Sequence, residues 1–270
     1  MDVIENMKRE MFRRKLSPRT IKTYLEYVKK FLLFCKKEPK KFSKVDIKYF
    51  LDQYACRGAS GNTINVVNNA LRFMMVEVLR KSLRLNIRYS KKPKCLPTVL
   101  TKEEALMLIN SITNAKHRLM VSLMYGAGLR VSEVLKLKKE NLDLENNFGW
   151  VRRGKGNKDR PFIIPLAIKN ELYNHLNNID SYLFKGRNNG PLSVKSAQVI
   201  VEKAAKKAEI NKNVHPHTLR HSFATHLIES GNSLTAVQSL MGHSEARTTM
   251  TYIHLAAPKL INIKSPLDEI

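Results

Sequence analysis

The chain has 270 residues, 43% of them hydrophobic, which is enough to bury a core in one large domain or two ordinary ones. No apolar run approaches the ~18–20 residues that a membrane-spanning helix needs. The first residues, MDVIENMKREMF, lack the basic-then-apolar order of a secretory signal. We therefore expect a soluble cytoplasmic protein without a membrane partner. The three cysteines, Cys35, Cys56 and Cys95, lack metal-ligand spacing and are interpreted as ordinary thiols.

The charge of the chain indicates the kind of partner it binds. There are 48 basic and 23 acidic residues, which gives a formal net charge of +25. The first 95 residues hold 24 basic and 8 acidic residues, and the rest of the chain holds 24 and 15. Such a surface predicts a polyanionic partner, above all nucleic acid contacted by both parts of the chain. A generally basic proteome is the alternative explanation.

The N-terminal part has the pattern of a small helical bundle. In SPRTIKTYLEYVKKFLLFCKK, Ser17 is suited to cap a helix and Pro18 to occupy its first turn, and apolar residues follow at helical spacing. Ser43 and Asp46 form a capping box that starts a second helix, and GNTINVVNNALRFMMVEVLRK continues the helical pattern. We assign this domain to residues 1–89. Its aromatic residues are interpreted as core: Tyr24, Tyr27, Tyr49 and Phe73.

A linker and a mixed second domain follow. Prolines and a lysine run predict an extended linker at residues 90–98, and Thr101 with Glu104 predicts a new capping box at the start of a domain spanning residues 99–270. The domain begins with two helical segments, which are followed by short strands around a GKGNKD turn. From residue 193 onward the pattern is helical again. The predicted fold is mainly α with a small antiparallel β-sheet.

Two segments of the second domain contain candidate phosphate-binding cations. In GAGLRVSEVLKL, Arg130 stands at the start of a helix, where free backbone amides and a guanidinium together suit a phosphate. A surface ion pair with Glu133 is the alternative. In RRGKGNKDR, Lys155 sits between two glycines, where it could protonate a leaving oxygen. Lys158 competes for that role, and contact with solvent or with backbone phosphates is the alternative for both lysines.

Two further segments carry histidines, an arginine and a tyrosine. In HPHTLRHSFATHLIESG, Pro216 begins a helix on which His217 and Arg220 share a face. The histidines of this segment lack the HExxH order and a nearby cysteine, so we predict no metal site. In SLMGHSEARTTMTYIHL, His243 follows a helix-stopping glycine and Tyr252 comes nine residues later. Ordinary packing is the alternative for Tyr252.

Together these residue types supply the parts of one reaction. A tyrosine of pKa near ~10 needs help to become a nucleophile, and His217 can take or hold its proton. Attack on a phosphodiester places charge on oxygens that Arg130 and Arg220 can each hold with two hydrogen bonds. Lys155 can protonate the departing oxygen and His243 can donate to the phosphate. Because arginines carry the electrostatic role, we expect neither a metal nor another cofactor.

The order of these residues resembles the tyrosine recombinases, most closely the Xer-type recombinases of archaea and bacteria. The matching stretches are GLRVSE, GKGNKDR, HTLRHSFATHL, LMGHS and TYIH, and SPRTIKTYLEYVKKFL is similar to the start of that family's core-binding domain.

The resemblance implies a two-domain clamp around duplex DNA with paired half-sites, a tetramer on DNA, a 3′-phosphotyrosyl intermediate and a Holliday junction. It also implies roles: Tyr252 is the nucleophile, Arg130 and Arg220 bind the phosphate, Lys155 is the general acid, His217 the base and His243 a supporting donor.

The sequence leaves several functions open. Resolution of chromosome dimers is the expected role, because the chain has no extra arm-binding domain, and integration of a mobile element is the alternative. A cleavage-incompetent DNA-binding protein and an enzyme that only nicks and reseals one strand are further alternatives. In the family the C-terminal tail often docks on a neighbouring protomer, but the two prolines of LAAPKLINIKSPLDEI leave its docking mode open. The target sequence and any accessory protein are also open.

Overall fold

The computed structural model describes the chain at residues 2–81, 96–152, 154, 159–177, 179, 181–186, 190–242, 249–250 and 252. Its contacts divide the chain into two compact units, Met1–Lys94 and Cys95–Ile270. Most of the predicted linker lies outside the described residues, and the predicted domain bounds stay a prediction. Among the described residues, no helix combines the length and apolar character that crossing a membrane requires.

The first unit is helical. Its helices are α1 (Val3–Arg13), α2 (Pro18–Cys35), α3 (Lys44–Cys56) and α4 (Gly61–Phe73), which continues into a π-helical turn at Met74–Val78. The predicted caps are confirmed, since Ser17 accepts a hydrogen bond from the amide of Thr20 and Ser43 forms a reciprocal capping box with Asp46. Helix α1 was not predicted from the sequence, although Asp2 caps it by accepting from two backbone amides.

The core of the first unit is built around Phe31 on α2. Its ring has no exposed surface and meets Phe42 and Phe50 edge-on, with ring centroids 5.2 and 5.3 Å apart. The core assignment was wrong for Tyr49, which is 61% exposed on α3 and lies beside Phe34. At Tyr49 the helical repeat turns the side chain outward, and the aromatic character of the residue alone misled the assignment.

The second unit combines helices with a small sheet, which confirms the predicted fold class. Its helices are α5 (Lys102–Asn110), α6 (Ala115–Gly126), α7 (Val131–Leu135), α8 (Lys169–Leu176), α9 (Val194–Lys207), α10 (Pro216–Glu229) and α11 (Leu234–Met241). The strands β1 (Leu142–Asp143), β2 (Phe148–Val151) and β3 (Arg160–Ile163) form one antiparallel sheet in the order β1-β2-β3. The capping box of Thr101 and Glu104 at the start of α5 is confirmed.

Helix α6 is the central helix of this unit. The residues from Leu119 to Met124 are all buried, and α5, α8 and α10 pack around the helix. A helix that is apolar on all sides must be enclosed in this way. Helix α6 therefore fixes the turn that follows it, where Arg130 begins α7.

The sheet places one arginine inside the unit. Along β3 the side chains alternate, so that Arg160 and Phe162 are buried while Pro161 and Ile163 face outward. Strand β3 packs against α11. The pairing of Arg160 with Val151 in the antiparallel register therefore directs a charged side chain into the interior.

We predict that Phe31→Ala lowers the unfolding free energy of the first unit by about 3–5 kcal/mol, because it removes a fully buried ring and leaves a cavity. Amide hydrogen exchange of α2 and α4 in the full chain measures this loss. Leu33→Ala on the same helix is the control, since Leu33 is 74% exposed and its truncation should change exchange little. Equal effects of the two substitutions would contradict the assigned core.

Candidate active site

A tight turn after α6 brings Arg130 to the site. Gly128 has a φ of +59°, and a Cβ there would lie 2.2 Å from the ring of Phe223 on α10. Only glycine lets the chain pass this close to α10 with a left-handed backbone. Arg130 then caps α7, where its amide donates to Glu133 at 2.9 Å and its Nη1 donates to the same carboxylate at 2.7 Å. The ion pair that the sequence left as an alternative is therefore present.

Arg220 lies deeper, on α10. The helix begins at Pro216 and is capped by His215, whose Nδ1 accepts from the amide of Thr218 at 3.2 Å. Arg220 is only 3% exposed, and its guanidinium donates to the backbone carbonyls of Gly128 and Met241. The side chain therefore ties α10 both to the turn that carries Arg130 and to the end of α11.

A third arginine, which the sequence reasoning did not select, completes the group. Arg160 is 8% exposed and Glu133 is 7% exposed, and Nη2 of Arg160 donates to the Glu133 carboxylate at 2.6 Å. Burial by itself would raise the pKa of Glu133, but the charge of Arg160 and the hydrogen bonds and charge of Arg130 outweigh it and hold that pKa below its ordinary value. Glu133 is therefore ionised and bridges two arginines.

The three arginines meet at the C-terminal end of α11. Arg160 donates to the carbonyl of Leu240 at 2.5 Å, Arg220 to that of Met241, and Arg130 approaches that of Gly242 at 3.5 Å. The end of a helix carries partial negative charge on its last carbonyls, which cations stabilise. We name Arg130, Arg160, Arg220 and Glu133 the arginine cluster. The arginine cluster therefore holds the last residues of α11 and the glycine that follows the helix.

Tyr252 is buried near this cluster. It is 2% exposed and packs with Phe223, Val237 and Met241. Burial raises the pKa of its hydroxyl, and the charges of Arg220 and Arg130 act against that rise. The phenol therefore lies within the electrostatic reach of both arginines that the sequence selected. The hydroxyl is also 3.0 Å from Nδ1 of His221, a residue that was not selected from the sequence.

His217 is exposed at the N-terminal end of α10, with its ring 6.3 Å from that of His221 between centroids. Desolvation of the ring lowers the pKa of His217, and His215, Arg220 and Arg130 lower it further. The structure thus brings together Arg130, His217, Arg220 and Tyr252. Lys155 and His243, the other two selected residues, lie outside the described residues.

Different signals could have revealed the residues that were missed. Arg160 alternates with Phe162 in RPFI, which is a pattern of period two with an arginine at a buried position. Glu133 was considered only as an alternative partner for Arg130. His221 gave no usable signal, because its contact with Tyr252 joins residues 31 positions apart.

We predict that Gly242→Ala destabilises the second unit by more than the ~1–2 kcal/mol of a left-handed alanine, because a Cβ at Gly242 would lie 2.4 Å from Cδ of Arg160. Thermal or urea unfolding followed by Trp150 fluorescence measures the change. Gly231→Ala is the matched control, since Gly231 also has a positive φ but has open space around its Cα. Equal losses for the two variants would show that Arg160 does not pack there.

We also predict that Glu133→Gln lowers the unfolding free energy of the second unit by about 3–5 kcal/mol at neutral pH, because it removes the charge between two buried arginines. A carboxylate with a lowered pKa in the folded state stabilises the fold above its unfolded pKa. That stability is lost as the pH falls from about 4.5 through the lower folded value. Urea titrations at several pH values should show this acid-sensitive component in the wild type and not in the variant.

Comparisons with known proteins show the family of the chain. The Phage integrase family matches residues 98–258, and the family's N-terminal SAM-like domain matches residues 3–85. Tyrosine recombinase XerA of Pyrococcus furiosus is 38% identical over 90% of this chain and 86% of its own length. XerA of Thermococcus kodakarensis is 35% identical, covering 96% of this chain and 93% of its own.

One solved structure shows the same fold with DNA. The XerH site-specific recombinase bound to palindromic difH substrate in a post-cleavage complex has a TM-score of 0.74 and 26% identity. The similarity covers 92% of this chain and 79% of that one. The chain therefore belongs to the phage integrase family, and it is a tyrosine recombinase, an enzyme that cuts and rejoins DNA.

Proposed function

We propose that this protein is a site-specific recombinase that cleaves duplex DNA through a 3′-phosphotyrosyl intermediate on Tyr252. The observation that carries the proposal is the burial of Tyr252 within the electrostatic reach of Arg130 and Arg220. A buried phenol that served packing alone would need no cationic neighbours. A nucleophile directed at a phosphodiester needs them, because negative charge grows on the non-bridging oxygens during attack.

The charge of the arginine cluster supports binding of an anion. Three guanidinium groups, Arg130, Arg160 and Arg220, surround the single carboxylate of Glu133. Burial, followed by repulsion from Arg130, lowers the pKa of Arg220 to about 9, so the group stays protonated at neutral pH at an electrostatic cost. A phosphodiester anion beside Arg130 and Arg220 would relieve that repulsion. We infer that the scissile phosphate occupies this place.

The proposed roles account for each bond and proton. The hydroxyl oxygen of Tyr252 forms a bond to phosphorus, and the bond from phosphorus to the 5′ oxygen breaks. His217 accepts the phenolic proton and Lys155 protonates the departing 5′ oxygen. Arg130 and Arg220 hold the non-bridging oxygens, and His243 donates one further hydrogen bond. The electrostatic work is assigned to arginines, so the proposal includes no metal, cofactor or ATP.

The proposed target is duplex DNA with paired half-sites. XerH was solved on a palindromic substrate, and the net charge of +25 suits a protein that contacts DNA with both of its proposed domains, residues 1–89 and 99–270. We propose that four protomers exchange strands through a Holliday junction. We further propose resolution of chromosome dimers as the role, which is consistent with the Xer names of the relatives, and integration of a mobile element as the alternative.

We predict that Tyr252→Phe abolishes the covalent adduct and leaves DNA binding unchanged within about 1 kcal/mol, because only a hydroxyl is removed. The substrate is a nicked half-site made from the fragment that the protein selects most strongly from genomic DNA. Adducts are resolved on denaturing gels, and affinity is measured separately by mobility shift.

Tyr173→Phe is the matched control for this experiment, because Tyr173 lies in the same unit and is 59% exposed. An adduct on the Tyr252→Phe variant would contradict the assignment of the nucleophile. Tight binding without any wild-type adduct would identify a cleavage-incompetent DNA-binding protein. Relaxation of supercoils without a synapsed complex would identify an enzyme that only nicks and reseals.

A further inference from the structure

His221 contacts the atom that is proposed to react. Its Nδ1 lies 3.0 Å from the hydroxyl oxygen of Tyr252, which is within the range of a hydrogen bond between a nitrogen and a hydroxyl. The two rings are 5.7 Å apart between centroids and tilted by 46°. His221 directly follows Arg220 on α10, so one helix presents both a phosphate-binding cation and a group that meets the phenol.

The environment of His221 determines its protonation state. Burial, together with the nearby His217, His215 and Arg220, lowers the pKa of His221 to about 4. The ring is therefore neutral at physiological pH, and with its hydrogen on Nε2 the lone pair of Nδ1 can accept the hydroxyl hydrogen of Tyr252. A neutral acceptor can hold the phenol without adding another positive charge beside the arginine cluster.

We propose that His221 is a further catalytic residue, which holds the hydroxyl of Tyr252 through Nδ1 and directs its oxygen toward the phosphate bound by Arg130 and Arg220. This inference rests on the proposed cleavage reaction. A nucleophile held at the correct angle gains rate because the orientation is set before the attack begins.

The proposed role of His221 is to orient the hydroxyl of Tyr252. The hydroxyl loses its proton only during the attack on phosphorus. Burial raises the pKa of Tyr252 and lowers that of His221 to about 4, so the proton stays on oxygen in the resting site. As the bond between oxygen and phosphorus forms, the phenol becomes acidic, its hydrogen leaves the hydrogen bond to Nδ1 of His221, and the proton passes to the base assigned above, His217. His221 keeps the hydroxyl aligned until that point.

Two near-isosteric substitutions separate the hydrogen bond from the volume of the ring. Asparagine places an acceptor oxygen near the position of Nδ1, whereas leucine has about the same volume and no acceptor. The first test uses 3-fluorotyrosine at position 252 of the full chain, observed by fluorine NMR in the absence of DNA. We expect His221→Leu to shift the resonance and to lower the pH at which the phenol titrates, and His221→Asn to remain near the wild type.

Tyr125→Phe is the matched control for the fluorine experiment. The hydroxyl of Tyr125 donates to Nδ1 of His226 at 2.9 Å, because Nε2 of that ring donates to the carbonyl of Leu100, and this second pair of tyrosine and histidine involves the same helix α10. Its loss should leave the resonance of residue 252 unchanged. If His221→Leu leaves the shift and the titration of residue 252 unchanged, His221 does not hold the phenol and the inference is overturned.

The second test measures cleavage of the selected half-site. We expect His221→Leu to slow adduct formation about 100-fold at unchanged DNA affinity, and His221→Asn to recover most of the rate. On a substrate with sulfur in place of the 5′ bridging oxygen, departure needs no protonation. Lys155→Ala should therefore regain activity there, while His221→Leu should stay slow.

The outcomes distinguish this inference from the proposed function. Recovery of His221→Leu on the sulfur substrate would place His221 on the leaving-group side and overturn the inference. Equal rates for the leucine variant and the wild type would do the same. Failure of the wild type to form any adduct would instead reject the cleavage reaction, and the fluorine measurement would still report the contact between His221 and Tyr252.

Discussion

The geometry of the site depends on the buried carboxylate of Glu133. It accepts from Arg130 and Arg160, and Arg220 lies 3.9 Å from it, so that one negative charge holds three positive charges within one small region. Without it the cluster would repel itself inside a low-dielectric interior. Because the same arginines also reach successive carbonyls at the end of α11, the charge balance of the cluster and the position of that helix are set together.

This arrangement joins distant parts of the chain at one point. Arg130 comes from the turn after α6, Arg160 from the interior face of β3 and Arg220 from the buried side of α10. Each reaches the end of α11, after which the chain leads to Tyr252. Packing in the core of the unit therefore positions the arginines that lie near the phenol of Tyr252. The environment of this one side chain thus depends on elements from several parts of the second unit. A site held in this way keeps its groups oriented before any DNA arrives.

His221 and His217 show how two histidines on one helix can differ. His217 is exposed near the arginines, while His221 is partly buried and meets the hydroxyl of Tyr252. Desolvation lowers the pKa of both rings. The difference in their proposed roles therefore comes from what each ring reaches: the ring of His221 contacts the hydroxyl of Tyr252, whereas the ring of His217 is exposed. Helix α10 thus carries Arg220 and both imidazoles that the proposals assign to the reaction.

The sequence by itself determined the capped helices, the fold class and the residue types of the proposed reaction, because caps and helical periodicity act over a few neighbouring residues. Ser17, the Ser43–Asp46 box and the Thr101–Glu104 box were all read from local spacing. Only the tertiary structure decided that Arg160 turns inward, that Glu133 bridges two arginines and that His221 meets Tyr252. Those contacts join residues 27 and 31 positions apart, and such pairings depend on how helices and strands pack, which local spacing does not specify.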